Sequence, residues 1–226
     1  MNLIRHLPNT LTSFNLLSGC LGIVMVLDGP ADRAIWFVLA ACVFDFFDGF
    51  SARALNVSSP IGKELDSLAD MVTFGVLPGL VMYRMLDTLS SSAYLPYAAF
   101  SLTVFSALRL ARFNVDETQR DAFRGLPTPA NALFICSLVY LREPFDYFIS
   151  QDLFLVGITA VFSFLLVAPV ELFALKFKSY GWKENGLKFT FLAFSVFILA
   201  LWQLAAMPFV ILTYVLVSLF KSWFRF

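Results

Sequence analysis

The chain has 226 residues, of which 59% are hydrophobic, 17% aromatic and 14% charged, and its formal net charge at pH 7 is zero. Soluble globular domains have about 25% charged residues and about 45–50% apolar ones. This composition excludes a water-soluble domain, a disordered chain and a nucleic-acid-binding protein, so we expect no nucleic acid among its partners. The sequence instead predicts an integral membrane protein with little mass outside the bilayer.

Apolar runs separated by short polar breaks predict an all-α, polytopic membrane helix bundle, because a spanning helix needs about 20 mostly apolar residues. The eight predicted spans are Leu11–Leu27, Ala34–Leu55, Leu65–Met85, Ala93–Phe113, Pro129–Leu141, Leu153–Leu175, Leu187–Ala205 and Pro208–Phe220. No repeat or linker divides them. We therefore expect residues 1–226 to form a single integral membrane domain.

The basic residues predict the orientation of these spans. With a cytoplasmic N-terminus, Arg33, Arg84 and Arg142 face outward, and every other lysine and arginine lies on the inner side. This bias satisfies the positive-inside rule. A hairpin at Ala205–Pro208 keeps the last basic residues inside as well. We therefore predict a multi-pass protein of the cell (inner) membrane with both termini in the cytoplasm.

Four acidic residues interrupt the apolar pattern where the second span ends and the third begins. Asp45 and Asp48 are three positions apart, and Asp66 and Asp70 are four apart, so each pair shares one face of its helix. The connection between the two helices is short, which makes them antiparallel neighbours. We therefore predict that all four carboxylates meet in one cleft near the cytoplasmic boundary.

Acidic side chains at this depth are costly and are functional by default. Four of them repel one another unless they are protonated or bind a cation. Oxygen ligands favour Mg²⁺ or Mn²⁺, and two such ions can hold the attacking and leaving oxygens of a phosphoryl displacement. The alternatives are a buried ion network and a divalent-cation channel or carrier. A transport pathway should continue outward, yet the later spans have almost no acidic residues at membrane depth.

Small and basic residues beside the acids favour a ligand with phosphate groups. Gly49 and Ala52 remove side-chain bulk where a nucleotide could approach the helix, and Gly62 permits a tight entry into the third span. Arg53 can bind a phosphate through two parallel hydrogen bonds.

Polar residues at the start of the first span have two interpretations. Asn9, Thr10 and Thr12 either line a nucleotide site or cap the first helix. We favour capping.

The segment from Asp45 to Asp70 resembles a family motif. Asp-x2-Asp-Gly-x2-Ala-Arg-x8-Gly-x3-Asp-x3-Asp is typical of the CDP-alcohol phosphatidyltransferases, and every fixed position is present. The resemblance implies a homodimer, CDP-diacylglycerol as donor and CMP as leaving group. It also implies a six-helix catalytic core, at about residues 8–175, followed by two accessory helices at about residues 187–220.

The same resemblance implies roles for individual residues. Two divalent ions, Mg²⁺ or Mn²⁺, would be bound by the motif aspartates, which are Asp45, Asp48, Asp66 and Asp70. Asp70 would complete the second metal site and act as general base on the acceptor hydroxyl. From the size and charge of the residues beside the acids, we predict that the CDP-lipid is bound by Gly49, Ala52, Arg53 and Gly62.

Flanking segments resemble the branch of this family that uses serine as the acceptor alcohol. These segments are Pro8–Thr12, Asp66–Pro78, Leu108–Asn114 and Gly125–Ala130. The branch that uses glycerol phosphate typically has a proline and a lysine where this chain has Ser67 and Met71. The resemblance implies transfer of a phosphatidyl group to L-serine. The alternative is the same chemistry with inositol or glycerol phosphate as acceptor.

Serine is a zwitterion, so its site needs a cation for the carboxylate and a hydrogen-bond acceptor for the ammonium group. Arg109 and Arg112 lie three positions apart at the cytoplasmic end of the fourth span, and Asn114 follows where that helix should fray. We interpret these residues, with Glu64, as the serine-binding set. The alternative for the arginines is anchoring at the membrane interface, and for Glu64 it is solvation.

Overall fold

The computed structural model of the chain describes residues 3–57, 59–115, 123–141, 145–172 and 181–224. Its α-helices are α1 (Leu7–Asp28), α2 (Ala34–Ala54), α3 (Pro60–Asp70), α4 (Leu77–Leu89), α5 (Phe100–Val115), α6 (Thr128–Ser137), α7 (Asp146–Ile149), α8 (Asp152–Val167), α9 (Trp182–Trp202) and α10 (Met207–Phe224). Short 3-10 helices flank several of them, at Leu3–His6, Ala31–Arg33, Leu95–Ala99, Leu138–Tyr140 and Gln203–Ala206. The predicted all-α membrane bundle is confirmed.

Four helical segments are long and apolar enough to cross a membrane, namely Leu7–Asp28, Ala31–Ala54, Pro60–Leu89 and Asn185–Lys221. Two shorter apolar helices, Thr128–Tyr140 and Asp152–Val167, accompany them. The last long segment breaks at Gln203, whose φ of 52° ends α9 before α10 begins. Two helices therefore stand where the last two spans were predicted.

Several helix ends differ from the predicted boundaries, and two of the differences have a clear local cause. The third span begins at Pro60 rather than Leu65, because the Ser59 hydroxyl accepts a hydrogen bond from the backbone N–H of Gly62 and caps the helix. The sixth span was predicted to reach Leu175, whereas α8 ends at Val167. The residue before a proline is disfavoured in a helix, and Ala168 before Pro169 is accordingly extended, with ψ of 141°. Both Leu175 and Arg142 lie outside the described residues.

Small residues on α1 allow close contact with its neighbours. The Ser18 hydroxyl donates a hydrogen bond to the backbone carbonyl of Phe37 on α2, at 2.9 Å. A Cβ atom on Gly19 would lie 2.9 Å from the Cα of Thr73, which is closer than real Cβ contacts come. Side chains any larger at this position would push α1 away from the site-bearing helices.

The helix that joins α3 to α4 widens into a π-helical turn at Met71–Val76, directly after Asp70. The Thr73 hydroxyl in this turn donates to the Asn15 carbonyl on α1, at 3.1 Å. The Thr103 hydroxyl of α5 donates to the carbonyl of Gly75, also at 3.1 Å. Such turns are rare and often occur at functional sites. Here the turn holds the end of α3 between α1 and α5.

A two-residue antiparallel pairing of β1 (Phe123–Arg124) with β2 (Glu171–Leu172) precedes α6. The backbone then turns at Gly125, whose φ of 81° is in the region that favours glycine. The Gly125 N–H donates to the carbonyl of Val170, at 2.9 Å. This pairing ties the start of α6 to the segment that follows α8.

Candidate active site

Helices α2 and α3 position the acidic side chains. Asp45 and Asp48 lie in the last turns of α2, while Asp66 and Asp70 lie in the second half of α3. Helix α1 packs against both of these helices. Of the four carboxylates predicted to meet in one cleft, the structure brings those of Asp45, Asp48 and Asp66 together.

Three carboxylates form a tight cluster. One oxygen each from Asp45, Asp48 and Asp66 lies within 4.8 Å of the others. Asp48 is buried, with 5% of its surface exposed, and the other two are half-buried. Asp45 and Asp66 interact electrostatically with each other. Carboxylates this close repel one another unless they share a proton or bind a cation.

The chemistry of this cluster fits a divalent cation. All of its donors are carboxylate oxygens, which Mg²⁺ and Mn²⁺ prefer. The Oδ1 atom of Asp66 is buried and has no hydrogen-bond partner among the described residues. A buried acceptor without a hydrogen bond destabilises the folded protein. A cation bound to this oxygen would remove that penalty.

Asp70 stands apart from this cluster. It is not one of the three residues whose oxygens lie within 4.8 Å of each other, although the charges of the other three carboxylates act on it. Only 8% of its surface is exposed. Its Oδ1 accepts a hydrogen bond from the side-chain amide of Asn15, at 3.0 Å. The structure therefore separates one oriented carboxylate from three clustered ones.

Helix α1 supplies polar partners that the sequence analysis did not identify. The Thr12 hydroxyl donates to Oδ2 of Asp48, at 2.7 Å, and Asn15 binds Asp70. Both α1 residues are buried. The available signal was the presence of polar side chains, Thr12 and Asn15 among them, in a helix long and apolar enough to cross a membrane.

The preferred capping interpretation of the α1 residues is wrong. Among the described residues no side chain caps the N-terminus of α1, which begins after His6. Thr10 instead donates to the backbone carbonyl of His6, one turn earlier in the chain, at 3.0 Å. Asn9 and Thr12 face a cavity beside the carboxylates. The helix starts at Leu7 and has Pro8 in its first turn. Proline is well tolerated there, because it lacks an N–H group that would otherwise need a partner.

The cavity beside the carboxylates has a volume of about 420 Å³. Its walls include Asp48 and Asp66, together with three of the predicted CDP-lipid residues, which are Gly49, Ala52 and Gly62. A Cβ atom on Gly62 would lie 3.0 Å from Oδ1 of Asn9, so the glycine keeps this wall open. The fourth predicted residue, Arg53, is exposed and places its guanidinium beside Gly49.

Basic side chains surround the same cavity. Arg5, His6 and Lys63 are all exposed and all line it. The positive charges of Arg5 and Lys63 suit an anionic ligand. Their positions in the sequence do not assign them to the site, because basic residues near span ends are expected on the cytoplasmic side of any membrane protein.

Comparison with known proteins agrees with this geometry. The family model described as CDP-alcohol phosphatidyltransferase matches residues 5–168, which contain the whole carboxylate cluster and the cavity. The chain belongs to the CDP-alcohol phosphatidyltransferase family. Helices α9 and α10 lie outside the matched segment.

Several relatives of this phosphatidyltransferase have the name CDP-diacylglycerol–serine O-phosphatidyltransferase. The protein of Bacillus subtilis (strain 168) is 32% identical over 169 residues, which cover 74% of this chain and 90% of that protein. The Helicobacter pylori (strain J99) protein is 31% identical over 175 residues, which cover 76% of this chain and 73% of that protein. The Mycobacterium leprae protein is 35% identical over 149 residues, which cover 63% of this chain and 49% of that longer protein.

The four residues predicted to bind the acceptor do not form one cluster in this phosphatidyltransferase. Arg109 is half-buried and donates from Nη1 to the Thr128 hydroxyl of α6, at 3.2 Å. The charge of Asp70 acts on it. Arg112 is exposed and reaches the Val167 carbonyl at the end of α8, at 3.4 Å. The two arginines therefore point to different neighbours.

Asn114 and Glu64 form a separate group that links α5 to α3. The Asn114 amide donates to the Ser67 hydroxyl, at 2.9 Å, and to Oε2 of Glu64, at 3.4 Å. The Lys63 ammonium donates to the backbone carbonyl of Asn114, at 2.8 Å. These contacts satisfy the end of α5, where the sequence predicted fraying.

Proposed function

We propose that this chain transfers the phosphatidyl group of CDP-diacylglycerol to the hydroxyl of L-serine, giving phosphatidylserine and CMP. The main support is the cluster formed by Asp45, Asp48 and Asp66 beside a cavity with basic residues around it. The names of the relatives support serine as the acceptor. Together they favour a lipid phosphoryl transfer over a transport function.

In this proposal the aspartates hold two divalent ions, Mg²⁺ or Mn²⁺. Asp45, Asp48 and Asp66 supply the clustered oxygens, and Asp70 contributes to the second site. When bound, the ions neutralise the diphosphate and stabilise charge on the leaving CMP. The Thr12 hydroxyl orients Asp48 through its 2.7 Å hydrogen bond, as partners of metal ligands commonly do.

The remaining residues bind the donor and activate the acceptor. Gly49, Ala52 and Gly62 leave room for the cytidine and its diphosphate, while Arg53 binds a phosphate oxygen. Asp70 accepts the proton of the serine hydroxyl. The serine oxygen then attacks the phosphorus that holds diacylglycerol. One O–P bond forms as the P–O bond to CMP breaks, in a direct displacement.

We further propose a homodimer in the cell (inner) membrane, with both termini and the site on the cytoplasmic side. The distribution of basic residues supports this orientation. Residues 8–175 would form the catalytic core and residues 187–220 the accessory helices of one membrane domain.

Purified full-length protein tests the reaction directly. We would incubate it with CDP-diacylglycerol, Mg²⁺ or Mn²⁺, and one of serine, inositol, glycerol phosphate or no alcohol. CMP release and the identity of the lipid are then measured. Serine-dependent formation of phosphatidylserine is the expected result. Formation of a different lipid product would show that another alcohol is the acceptor. Cation flux into liposomes without CMP release would favour a channel or carrier.

The base role of Asp70 has its own test. Replacing it in Asp70→Asn removes the proton acceptor and keeps the size of the side chain. General-base catalysis contributes about 10²- to 10⁴-fold, so kcat should fall by about that factor. The affinity for CDP-diacylglycerol, measured by equilibrium binding, should change little. Loss of donor binding in parallel with kcat would contradict the base role.

A further inference from the structure

An asparagine on α6 has an unusual environment. Asn131 is fully buried, yet neither Oδ1 nor Nδ2 of its amide has a hydrogen-bond partner within the described part of the chain. Buried amides are almost always paired, because an unpaired one destabilises the fold. Packing alone therefore does not account for an asparagine at this position.

The surroundings of Asn131 connect it to the reacting groups. Thr128 lies one helical turn earlier, on the same face of α6, and is also fully buried. Its hydroxyl accepts the 3.2 Å hydrogen bond from Arg109. The Nε atom of Arg109 is buried and lacks a partner among the described residues. Arg109 also interacts electrostatically with Asp70, the proposed base.

The last helix also contacts this region. Helix α10 packs on α6, and Tyr214 on α10 is 9% exposed, with its ring centroid 5.9 Å from that of Phe191. Arg109 and Tyr214 interact electrostatically. The region is thus enclosed partly by a helix that lies outside the segment matched by the family model.

We propose that Asn131 is an acceptor-binding residue that acts beside Arg109 on a small zwitterionic amino acid. The inference rests on the proposed function and extends its acceptor site. The Arg109 guanidinium and the Asn131 Nδ2 donate to the carboxylate, and the Asn131 Oδ1 accepts from the ammonium group. The hydroxyl of the amino acid then faces Asp70. A sugar alcohol offers neither charge and would leave these groups poorly paired.

Two substitutions of Asn131 test this role, with the acceptor concentration varied at saturating CDP-diacylglycerol. Asn131→Ala and Asn131→Leu should each raise the KM for serine by about tenfold or more, since they remove a hydrogen bond to a charged ligand. The kcat and the KM for CDP-diacylglycerol should stay within about twofold of wild type. The midpoint of thermal unfolding should stay at the wild-type value or rise, because both variants remove a buried amide whose lack of partners destabilises the fold.

Ser137→Ala is the matched control. Ser137 is fully buried on the same helix, and its hydroxyl already donates to the Phe134 carbonyl, at 2.9 Å. The kinetic constants of the Ser137→Ala variant should equal those of the wild type. An unchanged KM for serine in both Asn131 variants would overturn the inference. So would a fall in thermal midpoint with a parallel loss of kcat, which is the result expected of a structural amide.

These outcomes are distinct from failure of the proposed function. If wild-type protein releases no CMP with serine, the acceptor assignment fails, and the Asn131 inference fails with it. If wild type makes phosphatidylserine and the Asn131 variants do so with an unchanged KM, the inference alone is rejected.

Discussion

The hydrogen bond between Asn15 and Asp70 gives a quantitative prediction about turnover. The bond measures 3.0 Å, Asn15 is fully buried, and Asp70 is 8% exposed. Water therefore cannot readily replace the amide in Asn15→Ala. We expect the variant to leave a buried carboxylate without the donor that orients it towards the acceptor.

The size of the effect follows from the charge on Asp70. A hydrogen bond to a charged group contributes about 1.5–3 kcal/mol, and about 1.4 kcal/mol corresponds to a tenfold change in rate. If the whole bond acts on the reaction, kcat should fall by about 10- to 150-fold. Asn15→Asp should cost more, because it places a second negative charge beside Asp70.

The assay is serine-dependent CMP release from CDP-diacylglycerol, combined with thermal denaturation in the same detergent. Ser18→Ala is the matched control, since it removes another buried α1 hydrogen bond, from Ser18 to the Phe37 carbonyl. It should lower stability by about 1 kcal/mol and leave kcat unchanged. If Asn15→Ala retains wild-type kcat, or behaves like Ser18→Ala, the orienting role assigned to Asn15 is refuted.

Two further predictions concern α1. Thr12→Val removes the donor to Asp48, and the Mn²⁺ concentration for half-maximal activity should rise by about 10- to 100-fold; an unchanged metal titration would show that the 2.7 Å bond does not orient a metal ligand. Gly19→Ala should lower the free energy of unfolding by about 1–3 kcal/mol, since its Cβ meets Thr73. Gly157→Ala, where the new Cβ has nothing within 4 Å, should be near neutral, and equal denaturation midpoints for the two alanine variants would contradict the packing argument.

Most of the carboxylate site could be predicted from the sequence. Its spacing is local: Asp45 and Asp48 share a helix face because they are three residues apart, and the connection to Asp66 is short. The class of protein and its helices followed from hydropathy, which depends on composition rather than on tertiary contacts. The family followed from the motif, and the match over residues 5–168 agrees with it.

The contributions of α1 could not be predicted in the same way. Thr12 lies 36 residues from Asp48, and Asn15 lies 55 residues from Asp70. Nothing in the spacing of those residues specifies which face of α1 meets the acids. A threonine near a helix start is also compatible with capping, which is the interpretation that the structure corrects.

The sequence by itself determined that the chain is a membrane helix bundle with an acidic motif on two neighbouring helices, because hydropathy and helical periodicity act over a few turns. Only the tertiary structure decided that Asp70 is held by Asn15 apart from the other three acids. It also decided that Asn131 is buried without a partner among the described residues, on the helix whose Thr128 accepts a hydrogen bond from Arg109. Those facts depend on how helices distant in sequence rotate and pack against one another. That packing is a property of the whole bundle and is not encoded in any one segment.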